Sequence, residues 1–166
     1  MPSRFLPIGS PAPDFKLTAI YTRQVISLTR CAGTPLLLVF LSFETREQVR
    51  DISQAVRTAY PDSSQVMVAN VINLLFVPSF ARRVAENRME SAIKQAIKEI
   101  PPPYTPDEYL ILLPDWKGRL ARAYGISNSG NQVALVMVDR QGIIQGHYQG
   151  DKPAQAAVEL IAGLLD

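Results

Sequence analysis

Six consecutive apolar residues, Leu36-Leu37-Leu38-Val39-Phe40-Leu41, constrain this chain more than any other stretch. The run has no alternation, so both of its faces must be buried. A central strand covered on each side has that pattern. Three residues later, Thr45-Arg46-Glu47-Gln48 reads as a helix start. In that capping box the threonine hydroxyl takes a first-turn N–H, and the glutamine reaches back to the cap. A strand running straight into a helix start is the organising junction of many α/β domains. Its free N–H groups and helix dipole suit an anion or a reactive group. Here the junction carries no cysteine, histidine, lysine or glycine-rich loop.

The remaining pattern alternates strand and helix. Phe15 and Leu17 alternate with polar neighbours, and Val25–Leu28 forms a second short strand. Val49, Ile52, Ala55, Val56 and Ala59 share one helical face, with Arg50, Asp51 and Arg57 off it. Pro61 ends that helix, and Gln65–Ile72 is a further buried strand. Ser79 starts a long helix to about Ile100, with Phe80, Val84, Ile93, Ala96, Ile97 and Ile100 as its apolar stripe. Pro101 to Pro106 stops it and reads as a stiff connector. Glu108–Leu113 is a strand, 114–118 a turn, and Arg119–Tyr124 a short helix ended by Gly125. A polar loop over 127–131 leads to Val133–Val138 and Ile143–Tyr148, strands joined by the Asp139–Gly142 turn. Lys152–Leu165 closes the chain as an amphipathic helix.

At 166 residues the chain suits one domain with a sizeable core. Seventeen basic residues against fifteen acidic ones leave +2, which gives no reason to expect nucleic acid or an anionic membrane as partner. No apolar run approaches the roughly 20 residues of a membrane span. The first residues lack an apolar stretch of signal-peptide length, so a cytoplasmic location is expected. One cysteine rules out a Cys-x-x-Cys pair, and one histidine argues against imidazole-rich metal sites. No cofactor and no metal are expected.

Four phrases, in order, resemble the thioredoxin-like superfamily, in its peroxiredoxin and thiol–disulfide reductase branch. They are Gly9 to Phe15; Ile26 to Leu28 with Gly33 to Phe40; Leu120 to Ile126; and Val138 to Ile144. The resemblance implies a three-layer α/β/α domain over 1–166 with a mixed central sheet. The helix and proline loop around 79–106 then look like an insertion. This arrangement also resembles thioredoxin-like bacterial proteins with no recognised redox motif. Such relatives open the helix after the central strand with Cys-x-x-Cys or Thr-x-x-Cys, where this chain has Thr45-Arg46-Glu47-Gln48. They also place a cis-proline before the strand leading to the hairpin, where this chain has Gly130 to Ala134 without proline. Both halves of the redox site are absent.

The expectation is therefore a redox-inactive thioredoxin-like protein acting as a binding module. Its candidate surface is Ser42, Thr45, Arg46, Gln48, Gln132 and Val133. Leu74, Leu75, Phe76 and Val77 are expected to extend it as a protein or self-association contact. The alternative is a peroxiredoxin-like thiol antioxidant using Cys31, with Arg30 beside it. His147 reads as an edge or surface residue and Asp139 as a structural turn residue; Asp115 and Trp116 precede another turn, with Trp116 as core packing or a partially exposed contact. Glu44 and Glu47 beside Thr45 suit the helix dipole without acid–base chemistry.

Overall fold

The computed structural model describes residues 3–100, 102–127 and 131–165. Gly130 and part of the 127–131 loop lie outside them. The run Leu36–Leu41 is strand β3, counting Lys16–Thr18 as β1 and Val25–Ser27 as β2. Helix α1 (Arg46–Ala59), β4 (Met67–Asn73), α2 (Arg82–Ile97), the short α3 (Pro106–Tyr109) and β5 (Leu112–Asp115) follow. Then come α4 (Arg119–Ala123), β6 (Ala134–Val138), β7 (Ile144–Gln149) and α5 (Pro153–Leu165). Five strands form one mixed sheet in the order β5-β4-β3-β6-β7. Strands β1 and β2 make a separate antiparallel pair.

Strand β3 is central because each of its faces feeds a different core. Leu36, Leu38 and Phe40 pack with Ile26, Leu120, Tyr124 and the β1–β2 side. Leu37, Val39 and Leu41 pack with Ile52 and Val56 of α1, Met89 and Ile93 of α2, and Ile161 of α5. Period-two side chains on a strand buried on both faces produce that split. Strand β6 repeats it, with Val136 on the first face and Leu135 and Met137 on the second.

Several boundaries differ from the sequence reading, each for a local reason. The expected strand over 108–113 is a helical turn followed by a strand. Thr105, at the cap, takes the N–H groups of Glu108 and Tyr109 on its carbonyl, and the Glu108 carboxylate accepts the Thr105 N–H at 3.2 Å. The Glu108 carboxylate reaching back to the cap N–H is one half of a capping box, and the helical turn it caps pushes the strand forward to include Pro114. Arg57, expected on the solvent side of α1, is buried. Its guanidinium donates to the Tyr60 and Val66 carbonyls, tying the end of α1 to the approach to β4. Helix α2 buries Ile93 as expected, but its first turns present a different face inward from the one expected. Ala85, Met89 and Ile93 are buried, whereas Phe80 and Val84 point outward. The Tyr104 hydroxyl of the proline connector donates to the Pro61 carbonyl, pinning it near the end of α1.

On the outer side of β5, the Leu112 carbonyl accepts the Ile20 N–H at 2.9 Å. Its inner side bonds to β4, with Asn70 N–H on Ile111 and Leu74 N–H on Asp115. Pro114, paired with Ile72, therefore stands where no donor toward β4 is needed.

Candidate functional site

In open α/β sheets, ligands gather beyond the carboxyl ends of the parallel strands. Here that end is built by three segments, leaving β3 at Ser42, β4 at Leu74 and β5 at Trp116. Parallel register aligns Leu41 with Ile72, so the first two leave side by side. Antiparallel β6 pairs Ala134 with Phe40, which brings Gln132 and Val133 next to the end of β3. The sequence-predicted residues of both regions therefore converge.

Their surfaces are unequal. Arg46 is exposed, and Ser42, Gln48 and Gln132 are half-buried. Thr45 and Val133 are buried and present no surface, a correction to the expected set. Thr45 is interior because a 3-10 turn, Phe43–Thr45, precedes α1. Its Oγ1 accepts the Ser42 N–H at 3.0 Å, so the cap pairs Thr45 with Ser42 instead of Gln48. Gln132 Nε2 donates to Asp151 Oδ1 at 3.1 Å. An open depression of about 370 Å3 over the helix start is lined by Phe43, Glu44, Arg46 and Glu47. The Ser42 hydroxyl and a backbone N–H hold the Glu44 carboxyl below its ordinary range. This carboxylate makes the helix start a poor seat for an anion, despite the dipole.

The segment after β4 is divided in the same way. Leu74 is core, which corrects its place in the expected contact, and Val77 is half-buried. Leu75 is exposed and Phe76 is 91% exposed. Phe80 at 89%, just before α2, and Val84 in its first turn are exposed as well, as is Phe43 in the turn after β3. Phe80 was missed because it sits at a core-like helical spacing. Only the actual burial of Ala85 and Met89 shows that it faces out.

Cys31 lies at the other end of β3, in the loop before the strand, 5% exposed. Its Sγ is 3.4 Å from the Met67 Sδ. Burial pushes the thiol's pKa up, and the nearby Arg30 charge offsets this only in part. His147 is exposed on edge strand β7, its ring stacked on Phe5 at 4.3 Å. Asp139 is structural: its Oδ1 accepts the Gln141 and Ile143 N–H groups at 2.9 Å. Trp116 is half-buried, with the Arg82 guanidinium 5.3 Å from its ring centroid. Among the described residues there is no cluster of metal-ligating side chains, and no helix is long and apolar enough to cross a membrane.

The sheet order, the β3–α1 junction and the closing β6–β7–α5 unit define a thioredoxin-like α/β fold with a single cysteine in the chain. A thiol:disulfide interchange protein of the thioredoxin family from Chlorobium tepidum superposes with a TM-score of 0.67 at 13% identity, covering 95% of this chain and 97% of that one. StoA from Bacillus subtilis gives 0.61 at 17% identity, covering 92% and 98%. The thioredoxin domain of a thiol-disulfide oxidoreductase from Bacteroides vulgatus gives 0.60 at 18%, covering 94% and 99%. No family model and no curated protein matches the sequence.

Proposed function

We propose that this chain is a redox-inactive thioredoxin-like protein that binds an extended apolar protein segment over the carboxyl end of its sheet. The carrying observation is the pair Phe76 and Phe80, almost fully exposed beside Leu75 and Val84. Contiguous apolar side chains left in water mark binding surfaces more often than isolated ones do. They stand next to the strand end where the resembled reductases carry their thiols and this chain carries Thr45 to Gln48. Phe43 and Arg46 would form the rim on the α1 side. The antioxidant alternative draws no support from the setting of Cys31, whose thiol is buried and raised in pKa. Buried apolar thiols are poor nucleophiles.

The test is fluorescence anisotropy with a panel of labelled extended peptides, apolar and polar, on wild type and on a Phe76→Asp, Phe80→Asp variant. Saturable binding of apolar peptides that weakens about tenfold or more in the variant supports the reading. Absence of binding, or equal binding by both proteins, removes it. Saturable turnover of a disulfide or hydroperoxide by the pure protein would likewise remove it.

A further inference from the structure

Between β1 and α4 the surface opens into a pocket of about 520 Å3, within the range that holds small ligands. Four cationic side chains line it: Lys16, Arg82, Lys117 and Arg119. They come from β1, the start of α2, the turn after β5 and the start of α4, so the fold gathers them from four elements. Among the described residues none of the four makes an ion pair. Two carboxylates share the walls, and both are turned to backbone donors. Asp14 Oδ1 accepts the Phe15 N–H at 2.8 Å, and Asp115 Oδ2 accepts the Ala121 N–H at 3.0 Å.

Arg82 is the distinctive member. Its guanidinium carbon lies 5.3 Å from the centroid of the Trp116 ring, a cation–π distance. Its Nε–H is sealed from solvent, so a molecule in the pocket would meet the terminal amino groups of the guanidinium. An arginine lining a pocket and held by a ring is pre-organised for oxyanions, because its planar guanidinium matches carboxylate and phosphate oxygens.

We propose that this pocket binds a small polyanion carrying two or more phosphate or carboxylate groups. Arg82 is its central donor, and Lys16, Lys117 and Arg119 supply the surrounding charge. This site does not depend on the peptide-binding reading above.

Trp116 is the chain's one tryptophan, so its emission reports directly on the pocket. Wild type is titrated with pyrophosphate and with citrate at low salt, following Trp116 emission and, in parallel, calorimetric heat. A saturable response to at least one, with a dissociation constant below about 1 mM, is expected. The tighter of the two tells phosphate from carboxylate. Arg82→Gln should weaken binding about tenfold or more, and Arg82→Lys, which keeps the charge but not the fork, should weaken it less. Lys94→Gln, on α2 outside the pocket, should leave affinity unchanged. If Arg82→Gln proves unfolded by circular dichroism, Lys117→Gln with Arg119→Gln replaces it. No saturable response to either anion overturns the proposal. So does equal weakening by Lys94→Gln and the pocket variants, which would show diffuse charge attraction only.

Discussion

The Cys31 thiol sits 3.4 Å from the Met67 sulfur, with its S–H directed at the thioether. Two soft sulfurs in contact inside a core behave as packing, not as a reactive pair. Burial raises the thiol's pKa above its ordinary 9.0, so the neutral form dominates near neutral pH. Native protein should therefore react with a disulfide reagent far more slowly than protein unfolded in urea, and the native rate should still be rising with pH where that of the unfolded thiol has levelled off. Cys31→Ala should lose about 1 kcal/mol of stability in urea melts. Rapid labelling of the native thiol at neutral pH would contradict this.

Gly125 and Arg4 fix the start of the chain to the end of α4. The Arg4 N–H donates to the Gly125 carbonyl at 2.8 Å. Gly125 has φ +72, and a Cβ built on it would stand 1.9 Å from the Arg4 carbonyl oxygen. Backbone cannot yield as a flexible side chain does. Gly125→Ala should therefore cost about 2 kcal/mol or more in urea denaturation. It should also loosen the Phe5–His147 stack, read as a shift in the His147 ring resonances.

Arg57 is a buried cation satisfied by two carbonyls, those of Tyr60 and Val66. Replacing it with methionine keeps much of its apolar stem but strands both acceptors. A loss of about 1–3 kcal/mol is expected, measured by urea or thermal melts. A neutral result would mean that water reaches the two carbonyls at no cost.

Asp139 gives the hairpin a pH dependence. Partial burial pushes its carboxyl up, but hydrogen bonds from Ile143, Gln145 and Gln141 outweigh this and hold it below its ordinary 3.8. A carboxyl whose pKa is lower in the folded state contributes stability that is complete above its unfolded value. The contribution disappears as pH falls through the folded value. The urea midpoint should therefore fall in acid below about pH 4. Asp139→Asn should show a shallower fall over the same window. Glu44 and Asp62 are lowered too, so the difference between variant and wild type is the informative quantity.

Exposure just before α2 and burial within it make opposite predictions for two apolar residues. Phe80→Ser should change stability by no more than about 0.5 kcal/mol, because that ring already stands in water. Ile93→Ala should cost about 2–5 kcal/mol, because its side chain fills the core beneath α2. Paired urea melts decide both.

The contrast also shows what the sequence displays and what it hides. Leu36–Leu41 was legible because only a doubly covered strand tolerates six apolar residues in a row. Helix α2 was half legible. It carries two apolar stripes, and nothing local tells which one meets the sheet. The cap at Thr105 to Glu108 was readable but overshadowed by apolar residues after it. Arg57 was hidden, since a charged residue looks solvated until its carbonyl partners are known. At the candidate site, Arg46 and Gln132 followed from the strand ends, whereas buried Thr45 depended on a turn that its own segment does not announce. The Arg82–Trp116 pairing spans elements far apart in the chain, and no spacing rule could reveal it.

Pro114 and the Ile20–Leu112 bond together close one flank of the sheet. A strand from another molecule arriving there meets a carbonyl already taken and a residue with no hydrogen to give. Lateral growth into filaments is thus blocked on the β5 flank. Within the five-stranded sheet, strand addition is left to the β7 flank, and there the 9–12 segment already takes the Ile144 N–H and carbonyl.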